Sequence, residues 1–257
     1  MVPIPRKALL APAAASLLAV SAAAQTQSTG NNSMAVRDVM NSSIGLNRGA
    51  EVVLETIAGP VTIETGNGST AQIHVVRGAA TQRELNCYHT GIKTTPDRLS
   101  IRHVQDKSSG CRSIRSGQQV RLVLPRAVNI STSSIAGDVD IGPIDGRLKL
   151  SSMAGPVKVR GVRSADISSL AGGLSLNLGP LDQRGVSVSS VVGMTDITFA
   201  RGANADVRVD SVMGNTTSTS PRINLGWNNG RASARIGSGG VPVTISSVVG
   251  HVTLHGG

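Results

Sequence analysis

Apolar and polar residues alternate in short bursts along most of this chain, and the bursts repeat. Aligned on a shared glycine, seven phrases recur: LETIAG (Leu54–Gly59), TSSIAG (Thr132–Gly137), LSSMAG (Leu150–Gly155), ISSLAG (Ile167–Gly172), VSSVVG (Val188–Gly193), VDSVMG (Val209–Gly214) and ISSVVG (Ile245–Gly250). Seven places before the glycine stand Val52, Ile130, Leu148, Ala165, Val186, Val207 and Val243, and five before it a second column that is apolar save for Thr132. A period of two is that of a strand with one buried face. Two and four places after the glycine the same alternation resumes, as in Val61 and Ile63 or Val157 and Val159. The glycine therefore marks the corner between two strands, where a residue without Cβ tolerates a left-handed or crowded backbone. Repetition at about twenty residues predicts supersecondary units stacked on their neighbours. The expected fold is all-β: a single-domain β-solenoid of stacked two-strand coils of about 17–21 residues, with a wider N-terminal β cap.

Three places before the glycine, Ser134, Ser152, Ser169, Ser190, Ser211 and Ser247 line up, so stacking predicts a hydroxyl ladder that satisfies backbone groups at the corner. No histidine or acid recurs beside them, so a row of nucleophiles is the weaker reading. The step from Gly214 to Gly250 is 36 residues, about twice the others, and predicts either one degenerate coil or a long excursion carrying Trp227. Upstream, Glu51–Thr65 reads as two strands of the repeat type. Thr70–Arg77, Leu85–His89, Leu99–Val104 and Gln118–Leu124 read as further strands, separated by turn signals such as Pro96-Asp97.

The N-terminus adds an address. Arg6 and Lys7, an alanine-rich apolar run and Ala22-Ala23-Ala24 describe a secretory signal over residues 1–24, too short in its apolar run for a membrane span. Residues 25–47, rich in Ser, Asn, Gln and Gly, read as a flexible leader, and residues 48–257 as the folded part, divided into a cap (48–126) and regular coils (127–257). In an exported chain the two cysteines, Cys87 and Cys111, predict one disulfide, while free or metal-bound thiols lack a further ligand at zinc-like spacing. Without the signal the chain carries 23 basic and 15 acidic residues. The excess is concentrated: residues 77–126 hold ten basic side chains against three acidic ones. Arg98, Arg102, Arg112 and Arg115 are the candidate anion-binding residues of that module.

TSSIAGDVDI, LSSMAGPVKV, ISSLAGGLSL and ISSVVGHVTL resemble the tandem unit of the putative-adhesin family of bacterial envelope proteins, the DUF4097-like domain of unknown function. VRLVLP (Val120–Pro125) looks like the strand leading into the coils of that family. The resemblance covers roughly residues 50–257 and implies a β-solenoid at the cell envelope. It brings no active site and no cofactor. The chain departs from the pattern at Asn215–Ser220, where strand positions are polar.

Little catalytic chemistry is legible. His251 and His255, four apart on one strand, are two metal ligands at most and read as solvated residues on a final edge. Glycoside chemistry needs paired carboxylates and usually aromatic platforms, and this chain has one Trp, one Tyr and one Phe. The expected function is therefore a non-catalytic, exported adhesin-like module, in the periplasm or at the cell surface. Its basic region is expected to contact anionic envelope glycan, lipid head groups or an acidic protein, and not nucleic acid. The alternative is a structural protein self-associating through its C-terminal coil, Ile245–Gly257, and less so a polysaccharide-acting enzyme.

Overall fold

The computed structural model describes residues 34–106, 111 and 116–256. The expected signal segment, the first part of the expected leader, Arg112 and Arg115 lie outside the described residues. The described residues are all-β, with one short helix. Its elements are β1 (Val36–Gly45), β2 (Glu51–Ala58), β3 (Val61–Gly66), β4 (Thr70–Ala79), α1 (Gln82–Asn86), β5 (Tyr88–Thr95), β6 (Arg98–Gln105), β7 (Ser116–Pro125), β8 (Asn129–Ala136), β9 (Val139–Ile141) and β10 (Arg147–Ala154). There follow β11 (Val157–Val162), β12 (Ser164–Ala171), β13 (Leu174–Leu178), β14 (Val186–Val192), β15 (Thr195–Phe199), β16 (Ala205–Met213), β17 (Thr216–Ser218), β18 (Gly226–Asn228), β19 (Arg231–Ile236), β20 (Pro242–Val249) and β21 (Val252–Gly256).

The strands form two mixed sheets. The first runs β1-β4-β7-β3-β9-β11-β13-β15-β21-β17, and the second β18-β19-β16-β20-β14-β12-β10-β8-β2-β6-β5. Each phrase places one strand in each sheet, with its glycine at the corner, and equivalent residues of neighbouring phrases in the stack are direct parallel partners: Leu148 faces both Ile130 and Ala165, and Leu150 both Thr132 and Ile167. The inward columns meet in one core, in which Leu54, Ile63, Leu148, Leu150, Val159, Leu176 and Ile197 are fully buried.

In four of the phrases one residue reverses the alternation. Thr56, Ser134, Ser152 and Ser169 are left-handed, with φ of 54–56°. Serine at this position drops out of the ladder between its paired neighbours, so the next residue inward is two before the glycine: Ile57, Ile135, Met153, Leu170, Val191 and Val248 form a further core column. The in-register hydroxyl ladder is consequently one place earlier than expected. It consists of Ser133, Ser151, Ser168, Ser189 and Ser246.

Three expectations are corrected. Residues 36–45, assigned to the leader, form β1, which pairs with β4 along its full length. Leu85–His89 is not one strand: Thr81 accepts from the Glu84 amide while the Glu84 carboxylate accepts from the Thr81 amide, and this capping box starts α1 ahead of β5. The stack, thirdly, does not follow sequence order. β20 lies between β14 and β16, and β21 between β15 and β17, so the ISSVVG phrase is an interior rung. At the other end, β6 and β7 stack outside β2 and β3. Self-association through an exposed C-terminal coil is thereby excluded for β20 and β21, which are paired on both sides. The long step before Gly250 is an excursion, a β18–β19 hairpin that pairs antiparallel with β16 and carries Trp227.

The Cys87–Cys111 disulfide, with Cα atoms 5.4 Å apart and a sequence separation of 24, ties the start of β5 to the β6–β7 connection. A loop of that length contributes about 3 kcal/mol by constraining the unfolded chain. The bond is consistent with an exported protein.

Candidate binding surfaces

Side chains that do not enter the core fall on three surfaces. The first is the outer face of β5 and β6, where Lys93, Arg98 and Arg102 are exposed. Parallel register sets Arg98 beside Glu51 and Arg102 beside Glu55, giving ion pairs of 2.6 and 3.7 Å. Other arginines of the basic module are likewise engaged: Arg121 with Glu64 at 2.8 Å, Arg126 with Asp145 at 3.6 Å, and Arg77 with Asp38. The structure thus brings together two of the four candidate anion-binding residues, and does so on a face shared with carboxylates. The Arg98 and Arg102 side chains keep 55% and 64% of their exposure, so these pairs remain in water and are worth at most about 1 kcal/mol each.

The second surface is the outer face of the other sheet. A shallow groove of about 510 Å³ crosses β3, β9, β11, β13 and β15 beside the glycine corner, walled by Pro60, Pro156 and Met194 and carrying Asp138, Asp140 and Lys158. Arg160 holds Asp140 through two bonds of 2.9 and 2.8 Å. Farther along, Asn41, His74 and Arg121 stand in one row across β1, β4 and β7, with 2.6 Å between His74 Nδ1 and Asn41 Oδ1.

The third surface was missed by sequence reasoning. Immediately before the glycines, Ala171, Val192, Val249 and Met213 are successive in-register partners at the outside of the corner, and Met194 lies just past Gly193. Val192, Met194, Met213 and Val249 are four of the seven exposed large apolar side chains among the described residues, so apolar exposure concentrates there. The apolar column before the glycine was the available signal.

His251 and His255 are not on an edge strand, since β21 is interior. His255 sits between Thr219, whose hydroxyl is 2.8 Å from Nδ1, and Asp196, 3.4 Å from Nε2. Hydroxyl, imidazole and carboxylate follow the order of a nucleophilic triad. The Asp196 contact is longer than an ordinary hydrogen bond, however, and Thr219 lies on the open face, so the arrangement reads as a link between rungs. Among the described residues no group of three or more His, Cys, Asp and Glu side chains could hold a metal ion, and no helix is long and apolar enough to cross a membrane.

The cap contains a polar interior. Buried Tyr88 donates to the Gly78 and Gly117 carbonyls at 2.6 and 3.0 Å, Arg77 donates to the Tyr88 carbonyl at 2.5 Å, and Thr90 donates to Gln118 at 3.2 Å. The His103 ring lies 4.8 Å from that of Tyr88. Burial pushes the His103 pKa below its ordinary value, and the positive charge of Arg77 adds to the effect. The unfolded chain therefore binds a proton near pH 6.5 while the folded chain does so only at lower pH. Stability is expected to fall as pH is lowered through that interval and to level off below it. Urea midpoints measured from pH 7.5 down to 5 should show the drop, and His103→Gln should remove its share; an unchanged slope in H103Q would show that His103 is not the group responsible.

No protein-family model matches the chain, and no curated relative does. Solved structures with a similar course of chain include a putative cell adhesion protein from Clostridium sporogenes, 11% identical, with 85% of this chain and 100% of that one covered at a TM-score of 0.43. A putative adhesin from Bacteroides fragilis is 11% identical, with 84% and 96% covered at a TM-score of 0.35. A putative lipid binding protein from Parabacteroides distasonis is 9% identical, with 85% and 96% covered at a TM-score of 0.32.

Proposed function

We propose that this chain is an exported, non-catalytic, adhesin-like module of the cell envelope, a β-solenoid rod whose basic end contacts an anionic envelope glycan. The observation that carries the reading is the row formed by Lys93, Arg98 and Arg102 on the exposed face of β5 and β6. Its partners Glu51 and Glu55 are held by water-exposed pairs. Such pairs are weak enough for the carboxylates or sulfates of a polyanion to displace them, and repeated contacts along a polymer then add. Arg112 and Arg115 belong to the same module by sequence.

Binding to an acidic glycan is expected to weaken as salt rises, because exposed charges are screened. Reversal at Arg98 and Arg102, with or without R112E and R115E, is expected to lower retention on an immobilised acidic glycan at least tenfold at low salt while leaving the thermal melt in place. Retention unchanged by reversal at every salt concentration would refute the reading. Binding transferred to anionic vesicles or to an acidic protein, with no glycan retention, would replace the glycan as partner.

A further inference from the structure

Both sheets have open edges, but the edges differ. At the C-terminal end of the stack they are β17 and β18, three residues each, a length that offers little to an incoming strand. At the opposite end the first sheet finishes on β1, ten residues long, and among the described residues no strand pairs with its outer side. The core beneath β1 is incompletely covered. Met40 and Ile44 pack against the main core while only partly buried, and Val36 does the same against the small cluster of Ala79, Leu85 and Tyr88. Asp38 is the one charge on this inner side. An unpaired inward charge would bar a neighbouring strand, but Arg77 already neutralises this one.

We propose that two copies of this chain pair β1 to β1, antiparallel about a two-fold axis, so that the first sheet runs continuously through a dimer. Direct partners in an antiparallel pair share a face, which limits the registers available. With Met40 on the axis, Val36 lies opposite Ile44 of the second copy, Asp38 opposite Ser42, Arg37 opposite Ser43 and Val39 opposite Asn41. Apolar residues then meet apolar residues on the core side, and no like charges face each other. The Met34 side chain lies over Gly78 and Gly117, toward β4 and β7 and away from the free edge. The contact is isologous and closes at two copies, so it produces a dimer and no filament.

The test uses the exported protein with its disulfide intact, in light scattering over a concentration series. A mass twice that of the monomer is expected, falling to the monomer on dilution. Ser43→Arg sets a guanidinium opposite the second copy's Arg37 at two symmetric places and should raise the dimer Kd about tenfold. The double variant R37E/S43R should restore it. Met40→Cys should give a disulfide-linked dimer under mild oxidation, since directly opposed residues have Cα atoms within bridging distance. A monomer at every concentration overturns the proposal, as does a dimer that neither responds to S43R nor cross-links through M40C. Because Arg98 and Arg102 are not on β1, glycan binding can fail without affecting these results, and the dimer can fail without affecting glycan binding.

Discussion

Gly172→Ala is expected to destabilise the protein by roughly 3 kcal/mol or more, the sum of a left-handed backbone penalty and an overpacking cost of similar size. Gly172 has φ of 146°, and a Cβ there would overlap the carbonyl oxygen of Gly155 and come within 2.6 Å of its carbonyl carbon. The same relation runs along the whole corner: Gly137 sits against Gly59, Gly155 against Gly137, Gly193 against Gly172, Gly250 against Gly193 and Gly214 against Gly250. One methyl group therefore pushes apart rungs that are hydrogen bonded above and below. Gly202→Ala is the control, because Gly202 also has positive φ, 76°, but nothing within 4 Å of its added Cβ. It should lose only the backbone share, about 1 kcal/mol. Urea unfolding of both variants measures the difference, and equal losses would show that contact between rungs is not what demands glycine.

Ile245→Asp is expected to have the other large effect, more than about 4 kcal/mol, because it buries a charge with no partner. Ile245 is fully buried in β20, between Val188 of β14 and Val209 of β16. The position also distinguishes the two possible stacking orders. In an order following the sequence, damage at Ile245 would be confined to an end coil and to residues beyond Pro242. In the observed order it opens the stack from within. Hydrogen exchange on I245D should then show lost protection in β14 and β15 on one side and in β16 and β17 on the other. Loss limited to β20 and β21 would contradict the inserted rung.

Much of this architecture was legible because burial imposes a period. Columns five and seven before the glycine, and two and four after it, are the residues that line the core, and strand ends fell close to those read from them. The core column two before the glycine escaped because strict alternation places it outside; a left-handed residue such as Ser152 shifts the phase, and propensity does not favour serine there. α1 was hidden because Leu85 and Cys87 fit the alternation of a strand, although Thr81 and Glu84 spell a capping box. β1 was hidden because VRDVMNSSIG is half polar, as befits an edge with one neighbour.

The candidate anion site was legible only as a count. Ten basic residues between positions 77 and 126 are visible in the chain, but Glu51 and Glu55, which stand against Arg98 and Arg102, lie about fifty positions away in sequence. The apolar corner has the same origin. Val192, Met213 and Val249 are scattered along the chain and meet because the phrases pair in register, and the inserted last phrase sets Val249 between the other two.

What the amino-acid order determined alone was the unit: two strands, a glycine corner and the residues that face inward, since these follow from local backbone sterics and from a period of two. Which unit lies on which was decided by the tertiary structure. ISSVVG and VSSVVG present nearly the same apolar columns and the same glycine, so local pattern scarcely distinguishes one neighbour from another. The choice rests on connections and ends, namely the β18–β19 hairpin closing one side of β16 and the disulfide-tied cap lying beyond β2 and β3, and these exist only once the chain has folded.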